Sequence, residues 1–101
     1  MQDILTKLRA LGVHIPEGLD SSALVRLAKL LCPWTLTVDT IQDAQAVHYR
    51  AYTRKDQTDA VAEASTPELA AFTLLHMQLE AGKYTAQDTA YKTSSMAYRA
   101  N

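Results

Sequence analysis

Apolar residues recur at Ile4, Leu5, Leu8 and Leu11, and the run stops at Gly12. This spacing predicts a short amphipathic helix closed by a left-handed glycine, with Val13 free to fold back over its end. A loop follows, and Asp20 or Ser21 is placed to cap a second helix. Leu24, Leu27, Ala28 and Leu31 form the apolar stripe of that helix, Arg26 and Lys29 face away, and Pro33 ends it. The stretch from Trp34 to Val38 alternates and is rich in β-forming residues, but without a second such run to pair with, it reads as an extended connector.

From Asp39 or Thr40 onward, Ile41, Ala44, His48 and Tyr52 fall on one helical face, and no Gly or Pro interrupts the chain before Pro67. A third helix is expected there, running to about residue 64 or breaking near 55–59, where the apolar pattern fades. Ser65 and Thr66, followed by Pro67 and Glu68, form a strong helix start. Leu69, Phe72, Leu75, His76 and Leu79 lie on one side of this helix and Ala70, Leu74, Met77 and Ala81 on another. A helix apolar most of the way round belongs in the middle of a fold. Gly82 closes it. Thr85 with Asp88 then opens a last helix, whose Ala86, Ala90, Thr93 and Ala97 make a narrow face of small residues. The pattern as a whole predicts an all-α fold of four or five helices centred on residues 67–81. It would be one domain over residues 1–101, with a helical hairpin at 1–33 and a helical bundle over 39–101.

Composition narrows the function classes. The 101 residues carry 10 Lys plus Arg against 11 Asp plus Glu, a net charge of −1, so any nucleic-acid surface has to be a local patch. The lone Cys32 leaves no internal disulfide and no multi-cysteine zinc site, which suits a reducing, cytoplasmic setting. No apolar run is long enough to span a bilayer, and no signal peptide or membrane anchor is expected. His14, His48 and His76 fall in three separate elements, and no two of them stand at i and i+4 with a nearby acid, so no metal or cofactor is expected. His76 reads as a hydrogen-bonded core residue and Cys32 as a small buried residue at a helix end. Nothing around either marks an oxyanion hole or an orienting third group, and catalysis is not expected.

The first thirty-one residues resemble the helix-extended-loop-helix group that includes the SAP, LEM and phage-type modules. Leu8, Leu11, Gly12, Val13, Ile15, Pro16, Leu24 and Leu27 occupy the places where that group has its helix leucines, its glycine and its apolar loop residues. The resemblance implies that Val13 and Ile15 complete a miniature core between two short helices. It also implies that the loop and the start of the second helix would face a partner. Glu17 and Asp20 place negative charge where a DNA backbone would lie, so the resemblance implies shape more than DNA binding; the favoured reading is a plain helical hairpin supporting the core, with a LEM-like protein-binding module as the alternative.

Two further patches carry candidate binding residues. Arg50 and Arg54, read as one helical turn apart, with Lys55 beyond and Tyr49 nearby, suit phosphate, a stacked base or acidic protein side chains. Asp43, Asp56 and Asp59 flank them. Tyr91 and Tyr98 repeat at seven residues on the last helix and suit a partner or a self-association seam. The function expected is therefore that of a small non-enzymatic adaptor or inhibitor, of a kind common in phage and mobile elements, acting on a protein partner and able to form homo-oligomers through its last helix. The alternative is a nucleic-acid module using the amino-terminal unit together with Arg50, Arg54 and Lys55.

Overall fold

The computed structural model describes residues 1–53 and 61–89. Along the chain run α1 (Gln2–Ala10), α2 (Ser21–Leu31), β1 (Leu36–Gln42), β2 (Val47–Thr53), β3 (Val61–Ala64) and α3 (Pro67–Glu80), followed by a helical turn at 86–89. The fold is thus mixed α/β. This corrects the all-α expectation and the helical bundle assigned to residues 39–101.

The helix stripe at Ile41, Ala44, His48 and Tyr52 is a coincidence of spacing. Residues 36–53 form an antiparallel hairpin in unbroken register from Leu36 opposite Thr53 to Gln42 opposite Val47. The local chemistry explains why. Val38, Thr40, Ile41, Val47, Tyr49, Tyr52 and Thr53 are β-branched or aromatic, and they lose side-chain freedom in a helix but fit a pleated sheet. The turn contains neither Gly nor Pro; Asp43 builds it instead. One of its carboxylate oxygens accepts the backbone N–H groups of Gln45 and Ala46, each at 2.9 Å, while the Asp43 N–H reaches the Ala46 carbonyl at 3.2 Å. β3 pairs antiparallel with β2, setting Ala62 opposite Ala51, so the strand order is β1-β2-β3.

The sheet has two unlike faces, because side chains alternate along each strand. Leu36, Val38, Ala51, Thr53, Ala62 and Ala64 turn inward, and α3 packs on them. Thr37, Asp39, Ile41, His48, Arg50, Tyr52, Val61 and Glu63 turn outward. α3 touches each of α1, α2, β1, β2 and β3. It starts with Thr66 as cap, whose Oγ1 accepts the Leu69 N–H at 3.2 Å, with Pro67 in the first turn. It ends at Gly82, φ +75°, where the N–H groups of Gly82 and Lys83 bond the carbonyls of Leu79 and Gln78. α1 ends the same way at Gly12, φ +96°, with Gly12 and Val13 donating to Arg9 and Leu8. The loop residues Val13 and Ile15 are buried, and Arg9 fixes the loop by donating from Nε to the Ile15 carbonyl at 3.1 Å. These residues join one core cluster with α3 and the sheet.

One polar group lies at the heart of that core. Gln78, 2% exposed, donates from Nε2 to Thr53 Oγ1 at 3.0 Å and accepts at Oε1 from the Tyr84 hydroxyl at 3.1 Å. Cys32 Sγ sits 3.9 Å from both Gln78 Oε1 and the Tyr84 hydroxyl. The Tyr84 ring meets Trp34 edge-on, with centroids 5.6 Å apart. Burial, with Cys32 alongside, pushes the Tyr84 phenol well above its ordinary value of 10.0.

The polar core and the hairpin turn generate three stability predictions. Gln78→Ala leaves buried hydroxyls without their amide partner and opens a void, and is expected to cost about 2–4 kcal/mol by urea unfolding. Because the raised phenol favours its neutral form in the folded state, stability from Tyr84 is complete below pH 10.0 and declines above it. Tyr84→Phe should flatten that alkaline decline in melting temperature. At the hairpin, the Gln45 and Ala46 N–H groups hold the Asp43 carboxyl below its ordinary 3.8. That contribution is present above pH 3.8 and lost as pH falls below it. Asp43→Ala should lower the melting temperature at neutral pH while bringing variant and parent closer together in acid.

Candidate functional site

A groove of about 560 Å³ opens between α2 and the inner face of the hairpin. α2 has two unlike sides. Leu24, Leu27, Ala28 and Leu31 pack into or against the core, whereas Ser21, Ser22, Arg26 and Lys29 are exposed. Asp20 fixes the helix start by accepting the Ala23 N–H at 2.8 Å.

Ser22, Val25, Arg26 and Lys29 share one helical face and form the wall. Val38 and Thr40, alternate residues of β1, form the floor together with Tyr49, the register partner of Thr40 across the hairpin. Pro67, at the start of α3, closes one end. Arg26 and Lys29 are both exposed, and among the described residues they are the only charged side chains lining the groove. Ser21, Ser22, Thr40 and Tyr49 add hydroxyl donors. Glu68, next to Pro67, keeps one oxygen shielded from solvent without a hydrogen-bond partner, beside the positive end of α3. A guanidinium and an ammonium one turn apart, with hydroxyls around an apolar floor, suit a carboxylate or phosphate held by charge-assisted hydrogen bonds. The described lining holds no carboxylate, imidazole or thiol.

Of the binding residues singled out from sequence, the structure describes Tyr49 and Arg50 and does not bring them together. Tyr49 and Arg50 sit on opposite faces of β2, so the patch read as a helical face is divided. Tyr49 lines the groove and packs against the core, while Arg50 lies on the outer face. Arg50 lies in a strand and not on a helix. It stands opposite Asp39 and Glu63 in the sheet, with its guanidinium 3.7 Å from the Glu63 carboxylate. His48 joins the same cluster, with Nε2 at 2.9 Å from Glu63 and Nδ1 at 3.7 Å from Asp43. Tyr52, expected in a helical core, donates to Asp39 on this outer face at 3.0 Å. Arg54, Lys55, Tyr91 and Tyr98 lie outside the described residues. His76 is partly shielded and pairs with Glu80 one turn on, at 3.1 Å.

Arg26 and Lys29 were legible only as a solvated helix face. Their spacing with Ser22 and Val25 is visible in the sequence, but the sheet that makes the stripe one side of a groove is not. Among the described residues no helix is long and apolar enough to cross a membrane. No family model, curated protein or solved structure matches this chain.

Proposed function

We propose that the protein is a non-enzymatic binding module that docks an acidic segment of a protein partner in the groove between α2 and the hairpin. The observation that carries this reading is the lining itself: Arg26 and Lys29 face an apolar floor ringed by hydroxyls, with no acid among the described lining residues to neutralise them. The distribution of charge elsewhere favours a local acidic ligand over a nucleic-acid backbone. The whole chain has a net charge of −1, and Arg50 is already engaged with Glu63. An adaptor or inhibitor acting in the cytoplasm, where a lone cysteine stays reduced, fits these features, and the phage-type resemblance of the first thirty-one residues fits such a role.

The test is fluorescence anisotropy with a labelled peptide in which Glu alternates with Thr and Val, run beside labelled duplex DNA and single-stranded RNA at about 50 and about 200 mM salt. The peptide is expected to bind. Arg26→Glu with Lys29→Glu should weaken it by about tenfold or more, while Arg50→Glu changes it little. Circular dichroism should show each variant folded, because all three residues are exposed. Equal loss with Arg50→Glu, or binding of the nucleic acids in preference to the peptide, overturns the reading.

A further inference from the structure

Resting on that docking role, we infer that the acidic segment binds by adding itself as a fourth strand along the open edge of β1, with alternate side chains entering the groove. The strand order leaves β1 and β3 as the edges of the sheet, and no described segment pairs with the outer side of β1. β1 is seven residues long. Short length is one of the ways natural sheets blunt an edge, and β1 lacks it. Its sequence, LTVDTIQ, has no proline and no lysine, its one charge is Asp39 on the outer face, and its register with β2 runs through all seven residues without a bulge.

The groove lies over the inner face beside this strand, floored by Val38 and Thr40 of β1 and Tyr49 of β2. A strand laid beside β1 turns every second side chain to the face that Val38 and Thr40 occupy, beneath Arg26 and Lys29 on α2. The intervening side chains lie beside Thr37, Asp39 and Ile41 on the outer face. The two faces therefore ask for different residues. Acids suit the inward positions, where they meet the two cations, and Asp39 disfavours acids at the outward ones. The guest is a peptide with Glu or Asp at alternate positions and neutral, β-favouring residues between them. This is recognition by main-chain pairing with side-chain selection.

Charge also separates this guest from two nearer candidates. Residues 90–101 of the chain itself contain Lys92 and Arg99 and no acid. A second copy offering its own β1 would turn Leu36, Val38 and Thr40 inward and its only acid, Asp39, outward. Neither neutralises Arg26 and Lys29.

Two N-methylated versions of a seven-residue peptide, matching β1 in length, provide the test. In one version the Glu amides are methylated, and in the other the Thr and Val amides. In an added strand these two sets point to opposite edges, so one set faces β1 and the other faces solvent. One methylated peptide should lose affinity by about tenfold or more, and the other should bind as the parent does. Amide exchange in the protein at 37–41 should slow at alternate residues when the parent peptide is present. Retained binding by both methylated peptides, or equal loss by both, overturns strand addition. If that happens while Arg26→Glu with Lys29→Glu still abolishes binding of the parent peptide, the groove stands as an acidic docking site of another geometry. If the parent peptide does not bind at all, the docking role itself falls. A dimer in sedimentation that excess peptide fails to dissociate assigns the edge to a second copy and overturns the choice of guest.

Discussion

The amide of Gln78 joins the parts of this fold that sequence distance keeps apart. It spans 25 residues back to Thr53 in β2 and six forward to Tyr84, and it lies beside Cys32 at the end of α2. A buried amide of this kind is costly to leave unsatisfied, so the packing of α3 on the sheet, the closing of the segment after Gly82 and the position of the α2 terminus are all constrained by one set of hydrogen bonds. Apolar packing alone would tolerate α3 sliding or rotating on the sheet, since most of its circumference is hydrophobic. A helix without a distinct polar side needs some other means of fixing its rotation, and Gln78 supplies it.

That constraint also bears on the groove. α2 is held by Leu24, Leu27, Ala28 and Leu31 on its core side and by the Cys32 contact at its end. Its other side, with Ser22, Val25, Arg26 and Lys29, borders the groove. The site thus sits on a helix and a hairpin that the core holds in place.

Local signals in the sequence made the helices legible, and the same locality hid the sheet. Gly12, Asp20, Pro33, Thr66 with Pro67, and Gly82 act within one turn of chain, so α1, α2 and α3 start and stop where those residues say. The strands depend on partners. Residues 47–53 alternate inward Val47, Tyr49, Ala51 and Thr53 with outward His48, Arg50 and Tyr52, yet the same stretch satisfies a helical stripe through Ile41, Ala44, His48 and Tyr52. What decides between the two is pairing with β1 across a turn made by an aspartate side chain, a weaker written signal than glycine or proline. β3 is still less legible, being four residues of which two are alanine. The site was hidden for the same reason: Arg26 and Lys29 on an isolated helix are solvated cations, and they acquire a facing wall only when Val38, Thr40 and Tyr49 are folded beneath them. Gln78 is a polar residue on a helix otherwise read for its apolar content, and its role emerges only with Thr53 and Tyr84 in place.

The outer face of the sheet is the counterpart of that groove. Asp39 is bonded by Tyr52, Glu63 holds both His48 and Arg50, and Asp43 lies on the far side of the imidazole, so the polar groups there partner one another within the sheet. Two sheets stack face to face when apolar side chains interdigitate between them, and this surface offers a lattice of paired polar groups with an excess of carboxylates in place of such a layer. Layered association of folded molecules through the sheet is therefore disfavoured, and in concentrated solution that face should behave as an acidic, hydrated skin. A protein that leaves a strand edge open has particular need of one.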